Sequence, residues 1–442
     1  MARESRIGSG SVVITPPLGS EMAGFDARKG LAQGVHDDLH ARALVFDDGS
    51  TQVALVSVEV IGLSRAFVRR IQQEIERQTG IPSAHIILAA THTHCGPVTF
   101  HHFFNQDQPL DNVYLDQLAA GIVRSVTLAL AASVPGRVRA GFVHVDGIAV
   151  NRRTSDGQPV DPAAGVILVE DVAGRPSAIA INFACHTTVL GPNTLEISAD
   201  FPYYTTRYLQ SVLGDDVEVL FFNGAEGDIS VGHKSDLSAV GVIADFRTFE
   251  KAEELGNRLG RIVAESLASL EPEDVRLKLA TEDVPLPLKT YPPMDVMTHR
   301  RERALANIRD LNEQELTPRV LEARRDGLFS RIEEYYALHY KDAEGHEPKT
   351  LAAEVNVVQI GGTAIVTFPG EVFVAIALEI RRHSPFARTM FFGLANDYIG
   401  YVPTADANAN AGYEVVASRV GPAAAGILEK QTGQLLHSLA NS

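Results

Sequence analysis

The chain is short of cysteine, of membrane-length apolar runs and of positive charge, and each shortage closes off a class of protein. Its 442 residues hold two cysteines, Cys95 and Cys185, too few for a disulfide framework. No apolar run reads as long enough to cross a bilayer, and residues 1–7 have none of the apolar core of a secretory signal. A reducing cytoplasm is the expected location. Lysine and arginine number 39 against 55 aspartates and glutamates, for a formal net charge of −16. That balance argues against nucleic acid as a partner, since phosphate binding needs clustered cations. It equally argues against stable docking on anionic membranes. A small molecule is the expected partner, with a homo-oligomer left open. What remains, 45% hydrophobic and 21% charged residues, is ordinary for a globular enzyme. There is no internal repeat or low-complexity linker, so one domain over 1–442 is expected.

Apolar runs at 53–60, 85–90, 178–184, 217–222, 355–360, 364–368 and 390–394 predict strands, most of them covered on both faces. Helical periodicity marks 64–78, 112–132, 203–212, 247–270, 371–382 and 421–438. Strands alternating with helices predict an α/β fold of β-sheets layered with α-helices. The stretch 297–341 is charged and helical, and reads as an insertion between two sheet-rich parts. It is either a solvated excursion or a lid or oligomer contact.

Polar residues gather at the ends of the predicted strands, where open α/β sheets place their sites. The run 85–90 leads into Thr91, His92, Thr93, His94, Cys95, Gly96 and Pro97. In an extended chain residues two apart face one side, so His92 and His94 are expected to leave the strand together. The run 178–184 leads to His186, and 364–368 leads through Pro369 and Gly370 to Glu371, expected in the first turn of a helix. Around Gly224 and Gly227 cluster Asn223, Glu226, Asp228 and Ser230, either a ligand-approaching loop or a tight turn. Tyr398, Tyr401 and Tyr413 follow the last strand, and spacing alone does not choose among them. Arg152 follows a short apolar run and is placed either to hold a substrate group or at the surface. His36, Asp37 and His40 form either a second metal site or a turn. Asp200 either orients a ligand histidine or caps the following helix. Cys95 and Cys185 read as core.

In the order of these motifs the chain resembles the catalytic domain of the neutral (alkaline, non-lysosomal) ceramidase family. The pieces are Ile14 to Pro17, Met22 to Phe25, 34–46, 91–97, Asn151 with Arg152, 183–200, 223–230, Pro369 to Glu371 and 395–414. The resemblance implies Zn²⁺ held by His92, His186, Glu371 and Tyr401. It implies substrate-side roles for His94, Tyr413, Arg152 and Ser230. The family fold is itself mixed β-sheets with α-helices. The chain departs from the pattern at Val231, where the family has proline, and at Cys95, where serine is usual. It also shows neither the family's signal sequence nor its C-terminal β-sandwich.

The expected activity is therefore hydrolysis of a linear N-acyl amide of a small, soluble substrate, through a water activated by zinc. The alternatives are a ceramidase proper, a binuclear amidohydrolase, and a binding protein on the same scaffold.

Overall fold

The computed structural model describes residues 5–103, 105, 109–309, 315–339 and 348–442. Its centre is two β-sheets packed face to face, with helices on each outer face. The larger has nine strands among the described residues. Eight run in the spatial order Glu218–Asn223, Pro176–Phe183, Ala163–Asp171, Val134–His144, Arg6–Val13, His40–Asp47, Gln52–Val58, Ile86–Ala90, and Glu271–Glu273 pairs with Val134–His144. The smaller sheet orders Leu277–Pro287, Thr350–Ile360, Thr363–Thr367 and Arg388–Phe392.

The two-residue side-chain period of a strand sorts the core. On the larger sheet Leu44, Phe46, Val53, Leu55 and Ile87 meet Val358, Ile365 and Phe392 of the smaller one. Their neighbours Ala43, Val45, Val56 and Leu88 face the other way, toward residues of helices Arg65–Thr79 and Asn112–Ala131 such as Val68, Ile71, Leu118 and Ile122. On the smaller sheet Val355, Val357 and Val366 pack with Ile376, Ile380, Leu428 and Leu436 of helices Val374–Arg382 and Ala424–Asn441. The order is helices, sheet, sheet, helices.

All seven predicted strands are present within a few residues of their expected ends. Strands Arg6–Val13, His40–Asp47, Val134–His144, Ala163–Asp171, Glu271–Glu273 and Leu277–Pro287 were not anticipated. Arg6–Val13 carries two glycines because helix Asn112–Ala131 lies against it. A Cβ at Gly8 would stand 2.0 Å from the Ala129 carbonyl oxygen, and one at Gly10 would stand 2.5 Å from that of Ser125. That close approach erases the β-branched signal expected of a strand.

Three expectations are corrected. Helix Asn112–Ala131 is, contrary to the sequence reading, long and apolar enough to cross a membrane by length and composition, and half of its most apolar stretch is buried. It packs on Arg6–Val13 and His40–Asp47. Glu371 does not open a helix. It lies in the two-residue strand Glu371–Val372, and the helix starts at Val374. The helical insertion does not divide two sheet-rich parts. Helices Met294–Arg309 and Pro318–His339 interrupt one antiparallel pair, Leu277–Pro287 with Thr350–Ile360, whose register joins Pro287 to Thr350. Within the predicted 297–341, residues 310–314 and 340–341 lie outside the described residues.

Candidate metal centre

Three parallel strand pairs put their carboxyl ends in one place. Gln52–Val58 runs parallel to Ile86–Ala90, Pro176–Phe183 to Glu218–Asn223, and Thr363–Thr367 to Arg388–Phe392. Backbone bonds stitch these ends together. Ala90 N–H donates to the Leu394 carbonyl at 3.1 Å, and Gly393 N–H donates to that of Asn223 at 3.0 Å. His92, His186 and Glu371 each follow one pair.

The side chains of these three converge. His186 Nε2 is 2.9 Å and His92 Nε2 3.5 Å from Glu371 Oε2. All three are buried, and they form the described residues' single group of three potential metal ligands, with ligand atoms within 4.8 Å of one another. Each imidazole is fixed from behind. His92 Nδ1 lies 2.6 Å from the Ile61 carbonyl oxygen, and His186 Nδ1 lies 2.8 Å from that of Glu226. Only a protonated Nδ1 can donate to a carbonyl, so in each ring Nε2 is the nitrogen left to face an ion beside Glu371. Two imidazoles and a carboxylate, dry and pre-oriented, fit a zinc ion. Burial works against ionising Glu371, but His92 and His186 outweigh it and hold the carboxyl well below its usual range. Burial, then Arg152, pushes His186 down to about 4.

His94 is brought beside His92, though not by the predicted route. The strand ends at Ala90, and His92 has a φ of +69°, in the left-handed region. A bend at His92, rather than an extended pleat, therefore puts the two Nε2 atoms 3.3 Å apart. Such backbone is costly for a non-glycine residue. Here it is zipped to the adjacent strand end by His92 N–H donating to the Val60 carbonyl at 3.0 Å. The His94 ring packs on Phe25 with centroids 4.7 Å apart. Gly24, at φ +101°, makes room for it, since a Cβ there would fall 2.4 Å from His94 Cγ. Burial, reinforced by His92 and His186, drives His94 well below the usual histidine range, so it is neutral at pH 7.

Two of the three potential ligands, His92 and Glu371, line a cleft of about 310 Å³ together with His94, Tyr398, Tyr401 and Tyr413. Tyr401 is paired in register with Glu371 across a two-residue parallel ladder, and its ring lies nearly parallel to His186, centroids 6.5 Å apart. The ring of Tyr413 stands edge-on to that of Tyr401 at 6.0 Å. Burial raises both phenols well above their ordinary value and keeps them protonated.

Arg152 and Ser230 are not in the cleft lining. Arg152 is buried behind Tyr401. It donates to Glu414 Oε1 at 2.8 Å, to the Gly227 carbonyl at 2.9 Å and to the Tyr401 hydroxyl at 3.2 Å. Ser230 Oγ donates to the His233 carbonyl at 2.8 Å and accepts from Gly232 N–H at 3.2 Å, closing a turn. Asp200 is a cap, accepting from the backbone N–H of Phe201, Val189 and Leu190. His36 and Asp37 pair at 2.9 Å, but Asp37 also accepts from Ser198 and Ala199, and no third ligand joins them among the described residues. Both cysteines are buried and free.

Three further residues belong to the site: Tyr398 and Glu226, which the sequence offered without a role, and His102, which it did not single out. Tyr398 donates its hydroxyl to Glu371 Oε1 at 2.7 Å. His102 lines the cleft, and burial pushes it down to about 3. Glu226 is fully buried with neither carboxyl oxygen bonded, and burial and the nearby Glu371 keep it neutral. The doublet His101-His102, shortly after the histidine motif, was the available signal for His102.

Fold and cluster define an α/β protein with a buried two-histidine, one-glutamate group suited to a metal ion. Residues 6–210 match the family described as neutral/alkaline non-lysosomal ceramidase, N-terminal, and over that stretch the chain is similar to that family. It is 27% identical over 272 residues to neutral ceramidase A of Dictyostelium discoideum, and 25% identical over 275 residues to neutral ceramidase B of the same organism. Each match covers 55% of this chain and 38% of the relative, so the matched stretch is well under half of those proteins. In fold it is similar to the crystal structure of neutral ceramidase from Pseudomonas aeruginosa, at TM-score 0.77 and 18% identity, over 99% of this chain and 75% of that one. A ceramidase complexed with C2 gives TM-score 0.75 at 19% identity with the same coverage.

Proposed function

We propose that this chain is a zinc-dependent hydrolase that cleaves the linear amide bond of a small N-acyl substrate. One observation carries the reading above the others: His92 Nε2, His186 Nε2 and Glu371 Oε2 converge, buried and pre-oriented, with His92 and Glu371 lining a cleft. Those residues and Tyr401 would hold the ion. When bound, zinc supplies a Lewis acid that polarises the amide carbonyl and makes water a nucleophile near neutral pH.

The chain's own groups do the rest. His94, neutral and partly exposed in the cleft, is placed to hydrogen-bond the carbonyl oxygen as negative charge develops, to accept the proton that the attacking water releases and to pass it to the leaving amine as the C–N bond breaks. Tyr413, held protonated, is a second donor to that oxygen. Arg152 holds the Tyr401 hydroxyl in place, and Ser230 keeps the 229–233 turn closed. The cleft volume of about 310 Å³ suits a small substrate, and the net charge of −16 suits a soluble one.

Ceramide hydrolysis is the second reading, favoured by the names of the relatives. A panel of N-acyl amides varied in acyl length and head-group charge separates the two. The proposal expects turnover of short, water-soluble amides that chelation abolishes and zinc restores. Turnover confined to long-chain sphingoid amides in micelles would transfer the assignment to ceramide.

A further inference from the structure

Tyr398 has no role in the reading above, yet its hydroxyl makes a direct bond to the cluster. We propose that Tyr398 is a positioning residue that makes Glu371 a one-oxygen ligand. The proposal rests on the metal-centre reading and adds to it how the carboxylate is used. The two oxygens of Glu371 face different partners. Oε2 looks toward His186 Nε2 at 2.9 Å and His92 Nε2 at 3.5 Å. Oε1 accepts the Tyr398 hydroxyl at 2.7 Å. A carboxylate gripping an ion through both oxygens fills two coordination positions, and through one oxygen only one. Zinc holds four ligands and expands at most to five: beside His92, His186 and Tyr401, a one-oxygen Glu371 makes four and leaves the fifth position for water, whereas a two-oxygen Glu371 would fill it.

The phenol is itself held from several sides. Tyr398 N–H donates to Asp397 Oδ1 at 2.7 Å. The same oxygen accepts Arg65 N–H at 2.9 Å. Arg65 is the first residue of helix Arg65–Thr79, whose N-cap Ser64 makes no side-chain cap hydrogen bond. Asp397 thus replaces the missing cap and ties the Tyr398 loop to the helix. The Tyr398 ring packs on Phe100, centroids 4.7 Å apart, and stands edge-on to His102 at 5.9 Å. Glu371 is pinned from its own side by its N–H donating to the Gly400 carbonyl at 3.0 Å. Both ends of the Tyr398–Glu371 bond are therefore anchored by the fold, as expected of partners that orient metal ligands.

Tyr398→Phe tests this, because it keeps the ring on Phe100 and removes only the hydroxyl. Zinc affinity is read by chelator competition on folded protein, verified by circular dichroism, and coordination is read from the visible absorption of the cobalt-substituted protein. The expected result is a loss of about 10–100-fold in zinc affinity, the usual effect of removing such a partner. A weaker cobalt band should accompany it, since that band falls as coordination number rises. Wild-type zinc affinity together with an unchanged cobalt spectrum in Tyr398→Phe would overturn the proposal. Failure of the wild-type chain to bind zinc at all would instead overturn the metal-centre reading beneath it.

Discussion

At Arg152 and Glu414, two opposite charges are buried together, so each depends on the other. Removing one partner of such a pair leaves the other charge without compensation. Arg152→Met is expected to destabilise the fold by about 3–5 kcal/mol, measured by urea unfolding, although Arg153 keeps a 2.7 Å contact with Glu414 Oε2. Asp200 gives a pH signature. Burial raises it to about 6, against its backbone hydrogen bonds and Arg247, while an unfolded aspartate titrates near 3.9. The folded state therefore keeps this proton between roughly pH 4 and 6. The sign follows: its stabilising share is full below that window and is lost as pH rises through it. Relative to Asp200→Asn, the wild type should lose up to ~3 kcal/mol between pH 4 and pH 7. A flat difference across a pH series of unfolding curves would contradict this. At this scale His92, His186 and Glu371 were legible as polar residues at strand ends. The way His92 meets His94 was not, because a left-handed φ leaves no mark in residue spacing. Nor was Tyr398 separable from Tyr401 and Tyr413, since its partner Glu371 lies 27 positions earlier.

Among the elements, those buried on both faces were legible because they read as unbroken apolar runs, as in Ile86–Ala90 and Glu218–Asn223. Strands such as Val134–His144 and Leu277–Pro287 mix buried with exposed positions, so their sequences carry Arg, Lys, Glu and Pro and blur into loop. The helix expected at Glu371 reflects the same ambiguity, since an acid after Pro-Gly suits a helix start and a short ladder alike. The pairing of Glu371 with Tyr401 depends on two segments meeting only in the folded chain. One loop beside the cleft offers a separable test. Gly24→Ala would force a Cβ onto the His94 ring at a φ that alanine resists. His94 lies outside the ligand cluster. The variant should thus keep its zinc stoichiometry and lose at least about tenfold in kcat/KM, roughly 1.4 kcal/mol of transition-state stabilisation. Equal loss of zinc and activity would make His94 a ligand after all.

For the whole molecule, the three potential ligands come from three strand pairs of two sheets, so the proposed metal binding would be coupled to folding. No unfolded chain presents His92, His186 and Glu371 together, and an ion bound only by the folded state stabilises it by mass action. Zinc at about 1,000 times its Kd should add roughly 4 kcal/mol. Calorimetry should show Tm falling on chelation and recovering on zinc addition. The layered α/β class was legible at this scale from alternating strand and helix patterns. The face-to-face stacking of the two sheets was not, because nothing in a strand's own sequence names the sheet it packs against. The central claim is tested most directly by metal analysis of the purified chain and of His92→Ala, each assayed on an N-acyl amide. The account predicts one zinc per wild-type chain with hydrolysis, and neither in a folded His92→Ala. Two ions per chain, or hydrolysis that persists without metal, would contradict it.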